Sequence, residues 1–167
     1  MTNAHVVAGQ EDTVVQERGS GPRLAAELAR FDARNDLAVL RVADLDAPAL
    51  ALAREPAAGT AGAILGFPLN GSFDGRAARI GATIAVVSED AYGRGPLRRD
   101  VTPLRGRVRS GNSGGPVVDA GGRVLTTVFA ATTSTRPGGF GVPNAVVREA
   151  LAAARRGGTA ANGPCAR

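Results

Sequence analysis

Lysine is missing from this chain: all 20 of its basic residues are arginine. With abundant Ala, Gly and Val beside them, that usage matches codon bias in a GC-rich genome, so the formal charge of +5 is a weak pointer to nucleic acid. The densest basic stretch, Arg94, Arg98, Arg99, Arg105, Arg107 and Arg109, has one aromatic neighbour, Tyr92. It offers no stacking platform, no zinc-ligand spacing and no recognition-helix pattern. It reads as a solvated loop, and no nucleic-acid partner is expected. Tryptophan is absent and aromatics make up 4% of the sequence, so Val, Leu, Ile and Ala must fill the core. A single cysteine, Cys165, allows no intrachain disulfide, and with one histidine the chain has too few ligands for a His/Cys metal site. No run approaches the roughly 18 apolar residues of a membrane span. No charged start precedes an apolar core, so no signal peptide is visible in the chain as it stands.

What is present points to strands. Hydrophobic residues make up 44% of the sequence, and 23 Gly and 10 Pro break it into short runs. Candidate strands are 13–17, 24–31, 37–42, 61–66, 78–87, 115–118 and 123–130, with a short run near 140–142. The joins GSGP, NGSFDG, DAGG and RPGG are turn sequences, and the rhythm is that of an all-β barrel or sandwich. LAAELARFD favours helix by propensity, and only its neighbours argue for strand. One helix is expected at the end, with Asn144 as N-cap before AVVREALAAARR and Gly157 just past it. The residues after it read as a loose tail.

The chemistry gathers on RSGNSGGPVVD. Ser113 is a useful nucleophile only if a base takes its proton, and His5 is the one histidine available. Asp36 stands directly before an apolar run, where a carboxylate can be buried and aimed at the imidazole. Taken singly, each has a plainer reading: a polar turn residue, a core or capping histidine, an acid that precedes a strand. GNSGG also fits the G-x-S-x-G elbow of α/β-hydrolases. There the order is Ser, acid, His with a helix after the serine, whereas here His5 comes first and a strand follows Ser113.

TNAHVV, NDLAVL and GNSGGPVVD, in that order, resemble the three catalytic blocks of trypsin-like serine proteases in their bacterial HtrA/Deg form. GGRVLTTVFAA and GGFGVPNAVV resemble the strands that follow the nucleophile. With no PDZ domain and a tail ending in GPC, the chain is most similar to the membrane-anchored acid-resistance proteases of actinobacteria. The resemblance implies a chymotrypsin-like double β-barrel with a C-terminal helix. Residues 1–55 would belong to the first barrel, 56–157 to the second barrel and helix, and 158–167 to the tail. It implies a serine endopeptidase acting on envelope proteins or peptides as a monomer, with no metal or organic cofactor. His5, Asp36 and Ser113 would form the triad, and the N–H groups of Gly111 and Ser113 the oxyanion hole. Thr127, Val128, Phe129 and Ala130 would pair with the substrate backbone, a β-augmentation mode. Gly139, Phe140 and Gly141 would wall the pocket for the residue before the scissile bond. Arg107, at about the depth where basic-specific relatives carry a selecting acid, argues against basic residues there, and the sequence leaves open whether it enters the pocket or faces solvent. Asn112 cannot make the ion pair by which pancreatic relatives are activated. The alternative is a catalytically inactive domain that only binds peptides.

The histidine block begins at residue 2, where members of this group normally have strands in front. The expectation is an N-terminally truncated chain whose first barrel lacks its opening strands and holds His5 poorly. The resemblance then places transmembrane anchors upstream, the domain in the periplasm, and a partner for Cys165 in the missing segment.

Overall fold

The short Val-, Ile- and Leu-rich runs fold as strands in a computed structural model that describes residues 1–132 and 135–166. In chain order they are β1 (Val14–Gln16), β2 (Arg23–Ala25), β3 (Glu27–Asp32), β4 (Leu37–Arg41), β5 (Ala61–Gly66), β6 (Asp74–Ile80), β7 (Ile84–Ser88), β8 (Leu97–Gly106), β9 (Pro116–Val118), β10 (Val124–Ala131) and β11 (Gly138–Pro143). Helix α1 (Ala4–Val7) precedes them and helix α2 (Asn144–Arg155) follows.

The second half of the chain closes on itself. β11, β10, β9, β5, β6 and β8 are bonded in that order, β8 returns to β11, and β7 extends the sheet beyond β8. Ile64, Ile80, Leu104, Val117, Leu125 and Val128 fill the interior. The first half is two separate hairpins, β1–β2 and β3–β4. A second apolar cluster joins it to the rest: Ala29, Leu37 and Val39 pack with Val142 and with Val147, Ala150 and Ala154 of α2. Those helix positions recur at helical spacing, so one face of α2 covers the β3–β4 hairpin. The architecture is therefore all-β with a C-terminal helix, as the sequence implies.

Four local expectations are corrected. Residues 97–106 of the arginine stretch form β8 instead of a solvated loop, because Val101, Thr102 and Leu104 turn inward while Arg98 and Arg105 stay outside. The run 78–87 is two strands: the chain leaves the barrel after Ile80, where Gly81 N–H donates to Pro103 O at 2.8 Å, and returns as β7 paired to β8 outside the ring. Asn144 does not cap α2; its amide nitrogen donates to Ala53 O (3.0 Å) and Val124 O (2.8 Å), tying the lobe connection to β10. The expected loose tail lies along the first lobe, with Ala160 N–H on Leu28 O at 2.8 Å and Tyr92 Oη on Asn162 O at 3.2 Å. LAAELARFD is strand, split between β2 and β3, since pairing with β1 and β4 outweighs the few tenths of a kcal/mol per residue that propensity supplies.

Candidate active site

Asp36 sits at the end of the turn joining β3 to β4, with φ of 52°. A non-glycine residue in the left-handed region costs about 1–3 kcal/mol and persists only where its surroundings over-determine it. They do so here. Its Oδ1 accepts the His5 backbone N–H at 2.9 Å, its Oδ2 lies 2.7 Å from His5 Nδ1, and its own carbonyl accepts the buried Asn3 side-chain amide at 2.7 Å. The carboxylate is 5% exposed as part of its residue, and both oxygens are spent on one histidine. A carboxylate on Nδ1 fixes the tautomer that leaves Nε2 free to accept a proton.

The segment carrying His5 is held more firmly than the sequence suggested. Thr2 and Ala38 exchange backbone bonds of 2.9 and 2.8 Å, and Asn3, Ala4 and Val7 are buried. The expectation of a poorly held His5 is therefore overturned. Its anchor is the Asp36 turn rather than a closed barrel, a role for Asn3 that the quoted TNAHVV block contained but composition could not rank.

Ser113 projects from the turn between β8 and β9, half-buried. Asn112 braces that turn from inside: its side-chain oxygen accepts Arg109 N–H at 2.9 Å and its own N–H returns to Arg109 O at 3.0 Å. Gly114 N–H goes to Val128 O (2.9 Å) and Gly115 N–H to Asn112 O (3.0 Å). Among the described residues, the N–H groups of Gly111 and Ser113 donate to nothing. A turn that spends its neighbours' donors and spares these two has a pair left over for an anion. Gly111 (φ 87°) admits no side chain, since a Cβ would lie 2.6 Å from Phe67 O. At Gly114 (φ 77°) a Cβ would lie 2.7 Å from Thr2 Cα, so this turn abuts the segment that carries His5. His5 and Asp36 are thus brought together and the Ser113 turn is set beside their segment, while among the described residues no hydrogen bond joins Ser113 to His5.

The substrate-binding expectations divide. Thr127 and Val128 are interior, 1% exposed each, with β9 or Gly115 on one side and β11 on the other, so neither can pair with a peptide. Phe129 and Ala130 are half-buried, and beyond Val128 no strand among the described residues pairs the side of β10 away from β11. Phe129 and Phe140 face each other at 6.4 Å. Gly139 and Gly141 are buried, and a Cβ on Gly139 would lie 2.7 Å from Val108 Cγ2. Val108, missed in the sequence, is the side chain that closes on Gly139, whereas Arg107 is exposed. A cleft of about 390 Å³ opens beside Ser113, lined by Leu65, Phe67, Phe73 and Pro116 as well as Thr2. Its two phenyl rings meet edge to face at 5.6 Å. Cys165 is exposed, with its Sγ 3.9 Å from Gly9 O.

Comparisons with known proteins agree with this fold. A family model described as a trypsin-like peptidase domain matches residues 1–125. Serine protease Rv3671c of Mycobacterium tuberculosis is 41% identical over 142 residues, covering 84% of this chain and 35% of the relative, so the chain spans about a third of that protein. The active-form crystal structure of the Rv3671c protease superposes with a TM-score of 0.91 at 36% identity, covering 99% of this chain and 73% of that one. An inactive form, a serine-to-alanine mutant, gives 0.80 at 35% identity over 95% of this chain and 78% of that one. The HtrA-type protease AlgW with a decapeptide gives 0.77 at 27% identity, covering 93% of this chain and 47% of that one.

Proposed function

Because the chain belongs to the trypsin-like serine protease family, we propose that it cleaves peptide bonds through an acyl-enzyme on Ser113. The observation that carries this reading is the commitment of both Asp36 oxygens to His5. With Nδ1 held, Nε2 of His5 takes the Ser113 hydroxyl proton as Oγ attacks the scissile carbonyl. The imidazolium so formed is stabilised by Asp36 and returns its proton to the leaving amine. Water then repeats the sequence on the acyl-enzyme. The oxyanion of each tetrahedral intermediate is received by the Gly111 and Ser113 N–H groups, each such donor being worth about 10²–10³ in rate.

The substrate would lie extended against the open side of β10 at Phe129 and Ala130. The residue before the scissile bond would lie beside Phe140, since Val108 already fills the space against Gly139, and this favours a small side chain. The apolar cleft at Phe67 and Phe73 would take the segment on the far side of the bond. A relative from Halomonas elongata, 32% identical over 145 residues, is named a probable periplasmic DegP-like serine endoprotease. That name supports work in the cell envelope; action on envelope proteins under acid stress, from a membrane anchor outside this chain, is proposed from the family resemblance alone.

The direct test is a fluorophosphonate probe and digestion of an unfolded protein, each with wild type and Ser113→Ala. Labelling at Ser113 and a loss of about 10⁶-fold in turnover are expected. Equal digestion by both proteins would reject Ser113 as nucleophile, and an unlabelled, inactive wild type would favour a domain that only binds peptides.

A further inference from the structure

Two routes lead from Tyr92, in the loop between β7 and β8, to the His5–Asp36 pair. The first runs to the acid. Ala91 N–H donates to Ala33 O at 2.9 Å, and the Phe31 and Tyr92 rings lie 6.2 Å apart. β8 adds to this grip, with Arg34 Nη2 donating to Arg98 O at 2.7 Å and Arg99 Nη1 to Arg34 O at 3.3 Å. The second lobe thus holds residues 31–34, immediately before the strained Asp36.

The second route runs to the base, through the C-terminal tail. Tyr92 Oη donates to Asn162 O at 3.2 Å, and the same carbonyl accepts Gly9 N–H at 3.4 Å. The Asn162 side-chain amide donates to Gln10 O. Gly9 and Gln10 closely follow α1, the helix that carries His5, and Gln10 N–H returns to Val7 O of that helix at 3.2 Å. The phenol is itself fixed: Tyr92 N–H donates to Asp90 Oδ1 at 2.8 Å, and the Arg94 guanidinium lies 4.7 Å from the ring centre. The tail passes so close that a Cβ on Gly163 would collide with the Tyr92 hydroxyl. Tyr92 and Asn162 are both half-buried.

We propose that Tyr92 and Asn162 form a clasp that positions His5 against Asp36. One side of the clasp holds the turn of the acid, the other holds the segment of the base, and the hydroxyl bond to Asn162 O closes it. The inference deepens the protease reading and rests on it for its catalytic meaning. Both are positioning residues that act through His5. Among the described residues neither bonds to β10, so opening the clasp should act on kcat and leave KM alone.

The test uses the intact 167-residue chain and its Tyr92→Phe and Asn162→Ala variants. Tyr92→Phe removes the hydroxyl bond and keeps the ring on Phe31; Asn162→Ala removes the bond to Gln10 O and keeps the shared carbonyl. The direct readout is hydrogen exchange of the His5 backbone N–H, whose acceptor is Asp36 Oδ1. In each variant that exchange should quicken about 5–20-fold, and kcat should fall about 3–10-fold with KM unchanged. In the double variant the losses should be less than multiplicative, since both changes open one clasp. If Asn162→Ala does not fold, Asn162→Ser is read in its place. Unchanged His5 exchange in either folded variant overturns the proposal. So does a lowered Tm with kcat intact, or a loss carried by KM alone. Faster His5 exchange in the variants of a protein that hydrolyses nothing sinks the protease reading and leaves the clasp standing.

Discussion

The two lobes hold their shares of the candidate site in opposite ways. Ser113 stands on a closed barrel, where ladder bonds run around the ring and its turn is braced from inside by Asn112. His5 and Asp36 stand on an open lobe of two hairpins. There the position of each residue depends on a few polar bonds: Asn3 to Asp36 O, Asp36 to His5, Thr2 to Ala38. α2 and the β7–β8 hairpin complete the support, and both belong to the other half of the chain. His5 is held by the bonds that over-determine Asp36, with no closed sheet among the described residues of this lobe. The cost is that damage to a single polar bond should travel further in the open lobe than in the barrel.

The largest effect expected on the open side is that of Asp36→Asn. The amide can still fill the site, but it would present N–H or oxygen to His5 without the charge that stabilises imidazolium. Activity on an unfolded protein should fall by about 10⁴-fold with the fold intact. A loss under tenfold, with unchanged circular dichroism, would mean that Asp36 does not orient the base. Asn3→Ala is the next break. It removes the buried donor on Asp36 O and leaves that carbonyl unpaired, costing about 1–3 kcal/mol of stability and about 10–10² in kcat through a displaced acid. If kcat holds while Tm drops, Asn3 supports the lobe and not the base.

The same contrast separates what the sequence could disclose from what it could not. The three residues of the candidate site stand out in the sequence because their order and the flanking TNAHVV, NDLAVL and GNSGGPVVD blocks are local strings. So do the bounds of β5, β4 and β10, to within a residue or so, since their runs are apolar and bracketed by turn residues. β8 was hidden because only Val101, Thr102 and Leu104 of its ten residues are buried, amid arginines whose heads stay in water. Arg99 and Val108 were hidden for a different reason: their partners, the Asp36 turn and Gly139, are distant in sequence. The interior places of Thr127 and Val128 follow from which side of β10 is covered, which depends on β9 and the Gly114–Gly115 backbone. No periodicity in TTVFAA carries that information.

The smallest expected effect lies in the barrel and sharpens the comparison from its other side. Asp119 closes the β9–β10 hairpin by accepting N–H bonds from Arg123 and Gly121, both at 2.9 Å, and by pairing with the Arg123 guanidinium. The Arg123 N–H is the main cause that holds its carboxyl below the ordinary 3.8, with desolvation opposing. A carboxyl depressed in the folded state stabilises at pH above its unfolded value, and that contribution is lost as pH falls through the folded value. Asp119→Asn should therefore lower Tm slightly at neutral pH, with the difference from wild type vanishing well below pH 3.8. Since the hairpin is one link in a closed ladder, protease activity at neutral pH should change by less than twofold. A loss of activity comparable with that of Asn3→Ala would show that the barrel is as sensitive to a single polar bond as the open lobe, and would end the distinction between them.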